Sequence, residues 1–143
     1  MKTIQILFLG MILLLGSSHL NAQEMQAKKY DNLNWVRMAF VKFHPGKMAK
    51  ASAIIEDYFQ KADENMGGQG PTAYVMTTGD YDMIVVWEMT DGIQSMDYEM
   101  TDRDVKWIAE MGKLAGGQEK ARAKMDEFYS YVSNWKTELA RKQ

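Results

Sequence analysis

The sequence predicts an α+β domain, a four-stranded antiparallel sheet with helices packed on one side. Three observations carry this. Aromatic and β-branched runs at Trp35–Phe43, Thr72–Thr78 and Asp82–Met89 read as strands. Apolar residues spaced by three and four mark helical faces. Glycine-bearing breaks at Gly67-Gly68-Gln69-Gly70-Pro71, Gly79-Asp80 and Gly116-Gly117 separate these segments. The resulting order is β-α-β-β-α-α-β over residues 34–143.

The opening segment stands apart. Lys2 precedes an apolar run from Ile4 to Leu15, and a small residue, Ala22, follows. This three-part pattern predicts a secretory signal over residues 1–22, too short to span a bilayer. The mature protein is then expected to be exported, periplasmic or secreted, with no membrane attachment. Residues 23–33 are polar and aperiodic, a leader to the first element.

Composition narrows the chemistry. The chain of 143 residues carries 17 Lys+Arg against 19 Asp+Glu, has 46% hydrophobic residues and contains no cysteine. A mildly acidic chain without a basic cluster lacks the cations that supply most nucleic-acid affinity, so no nucleic-acid partner is expected. Without cysteine there are no disulfides, thiolate nucleophiles or Cys-ligated metals. The fold must be held by its core alone.

The first strand, Trp35–Phe43, is bounded by His44-Pro45-Gly46 and is mostly apolar on both faces. A strand of that kind is covered on both sides. Lys47–Met66 follows as a helix, with Met48, Ala51, Ile55, Tyr58, Ala62 and Met66 on one face. Its solvent side is assigned Lys50, Glu56, Asp57, Lys61, Asp63 and Glu64. Thr72–Thr78 and Asp82–Met89 form a hairpin around Gly79-Asp80-Tyr81-Asp82, where the aspartates serve the turn. The stretch Asp91–Met100 reads either as a helical turn or as a loop.

Thr101-Asp102-Arg103-Asp104 resembles a capping box ahead of Val105, Ile108, Met111 and Leu114. Beyond Gly116-Gly117, Ala121, Met125, Phe128 and Val132 mark another helical face. The tail Asn134–Arg141 alternates Trp135, Thr137 and Leu139 with polar residues, as a half-exposed edge strand does. Two β-α-β halves joined by a hairpin give the ferredoxin-like plan. Helices cover only one face of such a sheet. The two-faced apolar strands therefore predict a second protomer, packed sheet against sheet in a homodimer.

The hairpin Gly79-Asp80-Tyr81-Asp82 and the strand Met83–Trp87 resemble the signature hairpin of the dimeric α/β-barrel superfamily. That superfamily includes the effector domains of AsnC-type regulators, antibiotic-biosynthesis monooxygenases, and EthD-like and NIPSNAP-like proteins. The resemblance covers element order over residues 34–141 and supports the fold more than any activity. The helix-turn-helix of the AsnC-type regulators has no counterpart here, so no transcriptional role is expected.

Catalytic groups are sparse. Past the signal the only histidine is His44, and no Gly-x-Ser-x-Gly elbow occurs. Gly67–Gly70 leads into a strand rather than a helix, so it is a plain turn and no phosphate loop. No metal site or cofactor is expected. The abundant methionines suit core filling, although Met96 with Met100, and His44 with Met48, share a spacing of four that would suit Cu(I) handling.

The remaining candidate is Arg37, a cation in mid-strand on the face of Trp35, Val41 and Phe43. Sharing a barrel lumen with Trp87, it would make an apolar pocket with one cationic handle. Alternatively it pairs with a carboxylate inside the dimer interface. The expected ligand-binding residues are Arg37, Trp35, Trp87, Tyr81 and His44, in an exported homodimer holding a small, partly apolar or anionic ligand. The superfamily resemblance implies another reading, a cofactor-free monooxygenase or haem-degrading enzyme leaning on His44 and Trp87.

Overall fold

The computed structural model describes residues 27–28 and 33–142. The chain divides into two units, Met1–Asp31 and Asn32–Gln143, and every element below belongs to the second. The expected signal segment 1–22 and most of the leader 23–33 lie outside the described residues. Among the described residues no helix is long and apolar enough to cross a membrane.

Strand β1 (Asn34–Phe43) is the spine of the sheet. It pairs antiparallel with β3 (Met83–Met89) on one side and β4 (Val132–Lys142) on the other. β2 (Thr72–Val75) pairs antiparallel with β3 at the far edge, so the order is β2-β3-β1-β4. This is the expected ferredoxin-like, four-stranded antiparallel arrangement. β2 ends at Val75, short of Thr78, and one further bond in the same register, from Met76 N–H to the Asp82 carbonyl, closes the base of the hairpin. Asp82 then closes the hairpin onto β1, its backbone N–H donating to Val41 O and its Oδ2 accepting from Phe43 N–H at 2.7 Å.

Register assigns the two faces. Ala39, Val41 and Phe43 lie opposite or beside Val85 and Met83, and all five are buried with Ala51, Ile54 and Phe128 from the helices. The odd-numbered residues of β1 therefore form the helix-covered face. The other face carries Val36, Met38 and Phe40 of β1 with Ile84 and Val86 of β3.

Helix α1 starts at Met48–Ile54, passes through a π turn at Ile55–Gln60 and ends at Lys61–Asn65. A π turn widens the helix by one residue and shifts the phase of its apolar face. Here the shift lets Ala51 and Ile54 face the sheet while Ala62 joins Met111 and Ala121 of the helical layer, with Tyr58 and Phe59 touching both clusters. Phe59 packs on Trp107 and Phe128 at 5.4 and 5.2 Å between ring centroids. One expectation for this helix is corrected. Asp63, assigned to the solvent side, is buried, and its Oδ1 accepts from Arg103 at 2.9 Å.

The ambiguous stretch after β3 contains a 3-10 strap, Gly92–Asp97. Helix α2 (Asp102–Ala115) then opens on a complete capping box between Thr101 and Asp104 and stops at Gly116, whose φ of 77° is left-handed. Helix α3 (Gln118–Ser130) ends before Val132, which starts β4 instead of continuing the helical face.

Candidate functional site

The sheet's helix-side face is unevenly covered. Helix residues pack over the Val41–Phe43 end of β1, whereas Arg37 toward the other end is exposed and Trp35 is half-buried. Register places Trp87 directly opposite Arg37 on β3, and Leu139 opposite it on β4. One pair further along, Trp35 faces Arg141 on β4 and Met89 on β3. Two cations and two indoles therefore alternate across three strands.

The contacts follow from that register. Arg37 Cζ lies 4.9 Å from the Trp87 ring centroid, and Arg141 Cζ lies 5.9 Å from that of Trp35. Both separations fall within cation–π range. No described carboxylate forms an ion pair with Arg37. A guanidinium seated on an indole in this way is positioned without being neutralised, and its N–H donors remain available for an anion. The strap Gly92–Asp97 packs against β1 and β3 beside this group, and a side chain added at Gly92 would meet Trp35 Cδ1 at 3.5 Å.

Trp35, Arg37 and Trp87 are thus brought together, but not as expected. They occupy the helix-side face, because Arg37 shares its side of β1 with the core residues Ala39 and Val41. A lumen closed sheet against sheet would lie on the opposite face. Nor is the guanidinium buried, so it bears no burial cost.

Tyr81 lies apart from this group. It folds back on Phe40 of the opposite face, 5.5 Å between centroids, where Lys136 also lies over the Phe40 ring at 5.7 Å. His44 sits beyond the other end of β1, about 20 Å from the Arg37–Trp87 pair at strand spacing. There it is exposed and lines a groove of about 320 Å³ with Lys42, Met48, Asp82 and Ser133. His44 and Trp87 consequently do not form one site. Met96 and Met100 are exposed, on and after the strap, and Met83 and Met111 fill the core.

Arg141 and Leu139 share the helix-side face without having been singled out in the sequence. Extending the Trp135-Thr137-Leu139 alternation by one step would have put Arg141 on that face. A separate cluster couples α3 to the start of β4. The hydrogen bond from Lys124 at 2.8 Å, and a second from the Tyr131 hydroxyl at 2.9 Å, hold the Glu127 carboxyl below the usual carboxylate range. The same carboxylate pushes Lys124 and Tyr131 up.

Solved structures share this architecture. A NIPSNAP family protein from Agrobacterium tumefaciens strain C58 superposes with a TM-score of 0.52, covering 82% of this chain and 93% of that one at 10% identity. A second NIPSNAP family protein from the same organism, of unknown function, gives 0.52 over 81% and 94% at 8% identity. The fold is that of NIPSNAP family proteins. No family model and no curated protein matches the sequence. At these identities the NIPSNAP resemblance is one of fold, and the side chains at the Arg37–Trp87 pair must carry any functional argument.

Proposed function

We propose that the protein is an exported homodimer that binds a small, partly apolar anion through Arg37 on the helix-side face of each protomer. The observation that carries this reading is the exposed Arg37 guanidinium on Trp87, 4.9 Å away, with no described carboxylate in an ion pair with it. A structural ion pair, the competing role for this residue, finds no partner within the described chain. Apolar surface adjoins the cation, with Leu139 40% exposed and Trp35 half-buried. An apolar wall with one charged handle suits a small amphipathic ligand.

Dimerisation is supported by the sheet face opposite the helices. Met38, Phe40, Ile84 and Val86 occupy it, and Tyr74 at its edge is 55% exposed. Charges of both signs, Glu88, Lys136, Glu138 and Lys142, flank these residues. Such a pattern is self-complementary about a two-fold axis. An obligate interface of this kind buries about 2,000 Å² or more. In that assembly Arg37 stays outside the sheet-to-sheet contact. Export rests on the segment 1–22.

Anilinonaphthalenesulfonate tests the binding role. Its fluorescence should rise saturably with wild-type protein, and Arg37→Met should weaken the affinity by about tenfold, the worth of a charge-assisted hydrogen bond. Equal affinity in the two proteins would remove Arg37 from the function.

A further inference from the structure

The alternating cations and indoles define a ligand more narrowly than a small anion. We infer that the site selects a planar aromatic carboxylate, an inference that rests on the binding role of Arg37 proposed above. Arg37 packs on Trp87, 4.9 Å from Cζ to the ring centroid, and is exposed, so its forked donors are accessible from solvent. A carboxylate matches that fork with two parallel hydrogen bonds, which a single-point acceptor such as an alcohol does not. Arg37 lacks a described ion-pair partner, so the incoming carboxylate displaces none among the described residues.

The body of the ligand is set by what lies within one residue pair of that fork. Leu139 is opposite Arg37 on β4 and 40% exposed. Trp35 lies two residues back along β1, about 7 Å away on the same face. Arg141 already lies over the Trp35 ring, 5.9 Å from Cζ to the centroid, so a ligand body meets Leu139 and the margin of that stacked pair, a low surface that favours a flat ring over a bulky saturated one. The strap Gly92–Asp97 packs against β1 and β3 beside Trp35 and sets the far limit of the surface. The ligand is thus one or two fused rings bearing one carboxylate.

Three probes of nearly equal size separate the elements of this inference by isothermal titration calorimetry on the full chain. Naphthoate carries both ring and charge, decahydronaphthoate the charge alone, and naphthalenemethanol the ring alone. Naphthoate should bind at least about tenfold more tightly than either analogue. Arg37→Met should abolish the advantage over the alcohol. Leu139→Asp, at an exposed edge position that leaves the core intact, should do the same by offering Arg37 an internal carboxylate. Equal binding of naphthoate and decahydronaphthoate overturns the aromatic preference, and equal binding of naphthoate and the alcohol overturns the carboxylate. Absent naphthoate binding, alongside Arg37-dependent binding of anilinonaphthalenesulfonate, overturns this inference and leaves the broader reading standing. Loss of Arg37 dependence for both probes removes the two together.

Discussion

Two charged residues show how context decides the role of a side chain. Arg37 sits at the uncovered end of the helix-side face, stacks on Trp87 and stays exposed. Asp63 is 6% exposed, with Arg103 on one side and Gly70 so close that a methyl group there would lie 2.7 Å from Oδ2. Burial pushes the Asp63 carboxyl above its ordinary value, more than the hydrogen bond and charge of Arg103 lower it. The folded state therefore holds this proton more tightly than the unfolded chain. Its contribution is most favourable at low pH and declines as pH rises from the ordinary carboxylate value through the raised one. Urea unfolding of wild type and Asp63→Asn between about pH 4 and pH 8 should show wild type losing stability relative to the variant as pH rises. A difference between the two that stays constant with pH contradicts this.

At the level of elements, local signals were legible where chemistry is local. Thr101 and Asp104 form the capping box that their spacing announces, with Asp104 N–H donating to Thr101 Oγ1 at 3.2 Å and Thr101 N–H to Asp104 Oδ2 at 2.9 Å. Thr101→Ala should cost about 1 kcal/mol in chemical denaturation, and an unchanged midpoint would show the cap to be dispensable. Gly116 likewise stops α2 where a left-handed residue is needed. The π turn at Ile55–Gln60 was not legible, because a steady 3.6-residue period cannot foresee a phase shift imposed by two separate packing partners. Asp63 was misplaced because what covers it, Arg103 and Gly70, comes from other segments of the chain. The strap Gly92–Asp97 has no buried residue, so no apolar periodicity reveals it.

For the whole molecule, alternation identified which residues share a strand face but not which face the helices cover. Both faces of β1 are largely apolar, so sequence alone could not say that Ala39, Val41 and Phe43 turn toward α1 and α3. That single ambiguity placed Arg37, Trp35 and Trp87 in a lumen between sheets, although the three do share one face of the sheet. His44 and Tyr81 were grouped with them by residue type, and strand geometry separates all three locations. The corrected faces allow the proposed dimer contact and the ligand surface to coexist on opposite sides of one sheet. Native mass spectrometry of protein isolated from its own source tests this arrangement most directly. A dimer should carry a small adduct that Arg37→Met loses while the dimeric mass is retained. A monomer, or an adduct indifferent to Arg37→Met, would contradict it.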